Sequence, residues 1–321
     1  MPQKIEDVYG NIKQYINKTP VMTSTTLNKL TESSCFLKCE NFQKMGAFKI
    51  RGAVNALLNL TKKQKDKGVI THSSGNHAQA LSLAASFFNV KATIVMPENA
   101  PKVKIEATRN YGGEVIFCGN KPLDREKKTE ELIKQHDYTL IHPSNNWNII
   151  RGAGTASYEL IHETRDLDYI FAPVGGGGLL SGTSLAVKEL SEKTKVIGVE
   201  PENADDAFRS IRDNRIYPST NPNTIADGLR TSLGNITFPI IRDNVHKIIL
   251  VSEEEIVKAM EFLWTRMKLV VEPSGAVSLA GLLKQKESIR NKRVGAIISG
   301  GNIDLTDFFA KFKGVENNSK Q

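Results

Sequence analysis

Lys49 follows Phe48 in the run Met45-Gly46-Ala47-Phe48-Lys49-Ile50-Arg51-Gly52-Ala53, at what reads as a loop-to-helix junction. A lysine amine is a poor nucleophile while it is charged and solvated. In a partly dry pocket its pKa falls and imine chemistry opens to it. The small residues on either side, Gly46, Ala47, Gly52 and Ala53, are expected to let a flat ligand approach the backbone, with Phe48 as one wall. Taken alone, a lysine at a helix start is more often a solvated surface charge. Four further segments weigh against that bland reading.

Pro173-Val174-Gly175-Gly176-Gly177-Gly178-Leu179 follows an apolar strand and precedes a helix. Its unshielded N–H groups and the helix N-terminus suit an anion, above all a phosphate. It has neither the spacing of a P-loop nor that of a dinucleotide fingerprint, so a monophosphate fits it better. Thr71-His72-Ser73-Ser74-Gly75-Asn76-His77 joins another strand to a helix. Its hydroxyls and free N–H groups suit a substrate carboxylate, and the Asn76 amide suits a ring hydroxyl; the same residues also serve as an ordinary N-cap. Ile298-Ser299-Gly300-Gly301-Asn302 ends the last strand, where Ser299 could meet a pyridine nitrogen. In Gly198-Val199-Glu200-Pro201-Glu202-Asn203-Ala204-Asp205-Asp206, Glu200, Asp206 and a backbone carbonyl could hold a hard cation, although acidic loops are commonly only solvated.

Strand-like and helical runs alternate around these segments. Residues 68–144 read as a four-strand, three-helix unit, which implies a parallel sheet with helices outside. A second series runs from DYIFAPVG through VIGVEPEN to VGAIISGGN, with SEEEIVKAMEFLWTRMKL as a helix on the way and DLTDFFAKFKG as a terminal one. The organisation expected is a large domain from residues 1–67 and 145–315, a small α/β domain 68–144 inserted into it, and a disordered tail 316–321. All five segments fall at strand ends, where open α/β sheets bind ligands.

With 321 residues the chain is long enough for one large or two medium α/β domains. The formal charge is +8, but the basic residues are mixed with acids along helices, as in DREKKTEELIKQ, so nucleic-acid binding is not expected. No stretch reads as a membrane span, and the polar N-terminus reads as a helix ending at Thr19-Pro20 rather than as a signal region. Cys35, Cys39 and Cys118 lack metal-ligand spacing and suit a reducing, cytoplasmic setting.

These segments, in this order, resemble the serine/threonine dehydratase family of fold type II pyridoxal-phosphate enzymes. The resemblance implies two open twisted-sheet α/β domains, similar to the tryptophan synthase β subunit, with pyridoxal 5'-phosphate in the cleft between them. It assigns Lys49 to the cofactor Schiff base, Phe48 to the ring face, Asn76 to the ring hydroxyl, Gly175, Gly176, Gly177 and Gly178 to the phosphate and Ser299 to the pyridine nitrogen. Ser74 stands where the serine-racemising members carry the second proton-transfer group. The substrate carboxylate falls to Ser73, Ser74, Gly75, Asn76 and His77, with Arg125 before His142-Pro143. A divalent cation (Mg, Ca or Mn) falls to Glu200, the Ala204 carbonyl and Asp206. ATP, which some members bind between subunits, falls to Ser24, Thr25, Lys44, Gln79, Tyr111, Lys268 and Asn302.

The implied activity is interconversion of L- and D-serine with elimination to pyruvate and ammonia, by a homodimer. The alternatives are an L-serine, L-threonine or threo-3-hydroxyaspartate dehydratase without racemisation, and a silent metabolite-binding protein on the same fold. MGAFK in place of SGSFK or TGSFK removes a hydroxyl near the nucleotide site. Arg151-Gly152-Ala153-Gly154-Thr155 lacks a glutamine usual in the family, a change expected to alter domain closure or substrate fit. The chain also ends before a C-terminal regulatory domain would fit, so feedback control by an amino acid is not expected.

Overall fold

Apolar runs with no polar alternation must be covered on both faces, and here they become the inner strands of parallel sheets. The computed structural model describes residues 3–305. First come α1 (Ile5–Ile12), β1 (Val21–Met22), α2 (Thr25–Thr31), β2 (Ser34–Cys39), α3 (Lys49–Leu58) and α4 (Lys62–Lys67). A compact series follows: β3 (Val69–His72), α5 (Asn76–Phe87), β4 (Ala92–Pro97), α6 (Lys102–Asn110), β5 (Glu114–Cys118), α7 (Pro122–His136) and β6 (Thr139–Leu140). The rest is α8 (Trp147–Thr164), β7 (Tyr169–Pro173), α9 (Gly178–Leu190), β8 (Lys195–Pro201), α10 (Asp206–Arg212), α11 (Thr237–Asn244), β9 (Lys247–Val251), α12 (Glu253–Met267), α13 (Pro273–Lys284) and β10 (Arg293–Ile298).

The strands form two sheets, ordered β5-β4-β3-β6 and β1-β2-β10-β7-β8-β9. Every pair is parallel except β1 with β2. The smaller sheet is the four-strand, three-helix unit expected from the alternation. In it the chain moves outward from β3 to β4 and β5, then returns to β3's other side as β6. In the larger sheet it moves from β7 to β8 and β9, then returns beside β7 as β10. The carboxyl ends of β3 and β7 are therefore the topological switch points, where such sheets bind ligands. The serine-rich loop leaves β3 and the glycine run leaves β7.

The helices of the larger sheet meet backbone to backbone. A Cβ on Gly52 would lie 2.8 Å from the Ile149 carbonyl oxygen, and one on Gly182 2.3 Å from that of Ile150. The small residues beside Lys49 thus serve packing rather than ligand approach, which corrects the expectation above. Gly52 seats α3 on α8, a Cβ on Gly46 would strike Asn302, and Ala47 is fully buried.

Under α3 lies a buried ionic network. The Arg51 guanidinium donates to Glu40 (2.7 and 2.8 Å), to Glu159 (2.8 and 2.9 Å) and to the Thr155 hydroxyl (3.2 Å). Lys38 Nζ adds a contact to Glu159 at 2.6 Å, and Thr19 donates to Glu40 at 2.5 Å. Burial alone would raise the Glu40 carboxyl; the Arg51 charge and the two donors overcome it and hold Glu40 below its ordinary value.

Two boundaries differ from expectation. The first helix stops at Ile12, because the Asn17 backbone is captured from both sides by the Gln43 amide (2.8 and 2.7 Å), which pulls it out of helical register. Pro101 caps α6 in extended geometry instead of sitting in its first turn. The terminal helix beyond Leu305 and the tail 316–321 lie outside the described residues. Among the described residues no helix is long and apolar enough to cross a membrane.

Candidate active site

Lys49 is the first residue of α3. The segment before it is laid against the turn after β10: Phe48 N–H donates to Ser299 O (3.1 Å), Gly301 N–H donates to Gly46 O (2.9 Å), and Ala47 pairs with Gly300. Two of the five segments are thereby joined directly. The Lys49 amine lies 5.2 Å from the centre of the Phe48 ring and donates to Pro143 O at 3.0 Å. Burial pushes its pKa down to about 8, against the opposing charge of Glu272. A lysine so placed reaches its nucleophilic form near neutral pH.

The β3–α5 loop is tied to the same place through Asn76. Its Nδ2 donates to Glu272 Oε1 (2.7 Å), and its Oδ1 accepts from Asn302 Nδ2 (2.8 Å), which also donates to Met45 O. Asn76 is therefore engaged on both sides of its amide and, among the described residues, keeps one N–H free for a ligand. Ser73 Oγ accepts from Gly75 N–H at 3.3 Å. The Ser74 hydroxyl is half-buried and has no protein partner among the described residues. A Cβ built on Gly75 meets nothing within 4 Å, so there is open space over this loop. Among the described residues the backbone N–H groups of Ser74, Asn76 and His77 also have no protein acceptor, as carboxylate binding requires. Arg125, on α7, is half-buried, and its charge helps burial to lower the His72 pKa at the end of β3. It thus lies on the side of this loop.

Two imidazoles, those of His77 and His142, feel the charge of the amine. His77 Nε2 is 3.0 Å from Ile141 O, so it carries the proton and leaves Nδ1 as a buried acceptor without a partner. Burial, then the Lys49 charge, pushes its pKa down to about 3. Burial, His72 and Lys49 push His142 down to about 4. Both are neutral at physiological pH.

The glycine run completes the site. Among the described residues, the N–H groups of Gly175, Gly176, Gly177 and Gly178 donate to no protein acceptor, although all four residues are buried. Buried N–H groups left unpaired are costly, so the turn is built for an acceptor from outside the chain. Ser144, next to the carbonyl that Lys49 binds, closes one side: a Cβ on Gly176 would lie 2.3 Å from its Oγ. A phosphate fits these donors. Gly177 has φ +81°, and a Cβ there would come within 2.8 Å of Ile241, Leu233 and Thr237. Gly177→Ala is accordingly expected to lower stability by about 1–3 kcal/mol and to weaken binding of a phosphate-bearing cofactor by at least about tenfold. Thermal melting and cofactor titration by absorbance check this.

Ser299 is buried and donates to Ser274 O at 3.3 Å. The acidic loop lies apart from the cleft, after β8. Both Glu200 oxygens accept from α10, Oε1 from Ala207 N (2.8 Å) and Oε2 from Phe208 N (2.7 Å). Asp206 keeps both carboxylate oxygens buried without a partner. Burial pushes Asp206 up to about 6 and raises Glu200 well above its ordinary value. Two buried carboxyls, of which Asp206 has both oxygens orphaned, fit a cation, with the Ala204 carbonyl on the turn between them. Among the described residues no three His, Cys, Asp or Glu side chains converge as a metal cluster.

Of the nucleotide residues, Lys44 lies over Phe87 at 5.2 Å, Tyr111 packs on the core beside α5, which carries Gln79, and Asn302 reaches Met45. Ser24 instead caps α2, which Thr25 opens, and Lys268 binds Thr265 O just past α12, so these three are held locally.

Glu272 is the residue the motifs missed. It caps α13 in the run VVEPSGA, and burial, with Asp227, pushes its pKa up to about 7 despite the Asn76 hydrogen bond. A single acid in an apolar stretch was its only sign. Lys104 and Asp227, paired at 2.5 Å, connect α6 to the 3-10 turn Asp227–Leu229.

The profile of the family described as "Pyridoxal-phosphate dependent enzyme" matches residues 12–300. A serine racemase of Dictyostelium discoideum is 50% identical over 306 residues, 94% of each chain. An L-threo-3-hydroxyaspartate ammonia-lyase of Saccharomyces cerevisiae is 48% identical over 97% of this chain and 95% of its own. The solved structure of maize serine racemase superposes with a TM-score of 0.95 at 40% identity, over 99% of this chain and 100% of that one. With an anion cradle and a free hydroxyl at the two switch points, an amine at the start of α3, and these relatives, the chain belongs to the pyridoxal-phosphate dependent enzyme family and is an enzyme of its racemase and ammonia-lyase branch.

Proposed function

We propose that the protein interconverts L- and D-serine and eliminates the β-hydroxyl of serine to give pyruvate and ammonia. The observation that carries this reading is a pairing. A lysine amine brought down to about 8 sits on one segment, and an unpartnered serine hydroxyl stands on the loop that Asn76 ties to that segment. Bound pyridoxal phosphate supplies the electron sink that makes the substrate Cα–H acidic. The tetraglycine N–H groups seat its phosphate, and Ser299 offers a neutral partner to its ring nitrogen. A hydroxyl there leaves the ring a weaker sink than a carboxylate would, so loss of the β-substituent competes with return of the proton.

The free N–H groups of the β3–α5 loop and Arg125 orient the substrate carboxylate. Lys49 takes the Cα proton on one face, and Ser74 exchanges it on the other. Elimination from 3-hydroxyaspartate is a second reading. The 48% identity to the L-threo-3-hydroxyaspartate ammonia-lyase of Saccharomyces cerevisiae favours it.

The test incubates the protein with each serine enantiomer and assays the opposite enantiomer and pyruvate together. Ser74→Ala is expected to lower racemisation and D-serine breakdown by at least about a hundredfold while L-serine elimination stays within about threefold. Equal reaction of both enantiomers in that variant would refute the two-base assignment.

Residues 68–144 form the small domain, inserted between 1–67 and 145–315. The enzyme is a homodimer; exposed Phe42 and Val270, brought side by side by the Asn41–Val270 hydrogen bond, support an apolar contact. Ser24, Thr25, Lys44, Gln79, Tyr111, Lys268 and Asn302 contribute to an ATP site between subunits. Three free, buried cysteines suit a cytoplasmic setting. Glu200, Ala204 and Asp206 hold a divalent cation. Chelation is then expected to lower the melting temperature by several degrees, an effect restored by Mg, Ca or Mn; an unchanged melting curve would sink the metal assignment.

A further inference from the structure

We propose that His142 holds the β-hydroxyl of the substrate, donating to it from Nε2. This rests on the reading that the substrate reacts beside Lys49. The ring's tautomer is set by the backbone. His142 Nδ1 accepts from Ser144 N–H at 3.2 Å and Asn145 N–H at 2.9 Å, so it must carry a lone pair, and the proton is on Nε2. Nε2–H has no protein acceptor among the described residues and is not one of the sealed, unsatisfied polar atoms, so it opens toward the cleft. His72 meets the ring edge-on, with centroids 5.8 Å apart and an interplanar angle of 87°, which fixes its plane.

Position supports the role. His142 directly precedes Pro143, whose carbonyl takes the Lys49 amine at 3.0 Å, so the ring is one residue from the reacting centre. The substrate carboxylate is turned to the β3–α5 loop, and its nitrogen is turned to the cofactor. The side chain is left facing the segment after β6, which is the segment His142 opens. Burial and the neighbouring His72 and Lys49 keep the ring neutral. It therefore donates without adding a second positive charge beside the amine. As the Cα–H electron pair becomes the Cα–Cβ double bond, the oxygen departs with hydroxide character and accepts more strongly than the bound alcohol, so the bond strengthens as the C–O bond breaks; the proton that Lys49 took from Cα completes the water. His142 acts here as a hydrogen-bond donor and not as the proton source.

His142→Asn is the variant that isolates this bond. The asparagine oxygen stands in for Nδ1 and keeps the two backbone N–H groups satisfied, while the Nε2–H donor is lost. Elimination from L-serine is expected to fall about 10- to 100-fold in kcat. Elimination from β-chloroalanine, whose chloride departs without needing a donor, should stay within about threefold, whereas L-serine racemisation, which binds the same hydroxyl, should show a raised KM. β-Chloroalanine turnover on the same preparation also reports that the variant is folded and carries its cofactor. An unchanged kcat for serine elimination would overturn the proposal, as would an equal fall with both substrates. Failure of the wild-type protein to form pyruvate from serine would instead overturn the functional reading beneath it.

Discussion

Replacement of Lys49 by alanine is expected to lower turnover of every amino-acid substrate by at least about 10³-fold and to abolish covalent capture of pyridoxal phosphate. Nothing else in the cleft can substitute. The neighbouring imidazoles are held at about 3 and about 4, and none of them is a primary amine. Noncovalent binding should persist, because the tetraglycine donors are untouched. The variant is therefore expected to bind the cofactor reversibly, with the absorbance of a free aldehyde. In the wild-type apoprotein the amine is lowered from 10.5 to about 8, so its neutral fraction rises about tenfold per pH unit below that value. Covalent capture should accelerate accordingly from pH 6 to about pH 8 and then level off. A rate still climbing at pH 10 would mean an amine in ordinary solvent, and the assignment of Lys49 would fall.

Arg51→Leu is the substitution expected to damage the fold most. It leaves Glu40 and Glu159 buried with Lys38 as their one remaining cationic neighbour, and an uncompensated buried charge costs about 3–5 kcal/mol. Equilibrium urea unfolding at pH 7.5 measures this. The pH dependence carries a sign. Glu40 in the wild type is held below its ordinary 4.5, so its contribution is complete above that pH and is lost as pH falls through the lowered value. Without the guanidinium, burial dominates and the carboxyl is raised, so the variant should recover part of its deficit as pH falls toward 5. A variant within about 1 kcal/mol of wild type at pH 7.5 would show that the network contributes little net stability. Arg51→Lys should be intermediate, because an ammonium cannot bridge two carboxylates with the fork of a guanidinium.

Much of this was legible in residue order because the informative segments are local. Unbroken apolar runs such as Ala92–Pro97 declared buried parallel strands, and glycine and serine clusters directly after two of them marked the loops at the switch points. What stayed hidden depends on contacts between distant residues. Gly52 looked like room for a ligand because the carbonyl that fills the space, that of Ile149, is nearly a hundred positions away. Glu272 could not be linked to Asn76 without the fold, since 196 positions separate them. The early end of α1 has the same origin, a side-chain amide from Gln43 that no local pattern foretells. His142 served in the motif only as a marker beside Pro143; its donor atom emerged once its acceptor atom was seen to be occupied.

One further consequence follows from where α3 begins. Its first turn has no side-chain cap, so several peptide dipoles end unneutralised next to Lys49. Side chains on a helix lean toward its start, which carries the ammonium into the positive end of that field. The field disfavours the protonated form by about 0.3–1 kcal/mol, less than one pH unit and in the same direction as dehydration. A serine or aspartate at position 48 would cap this turn and steady the helix, yet it would also quench the field and return the amine toward its resting, proton-bound state.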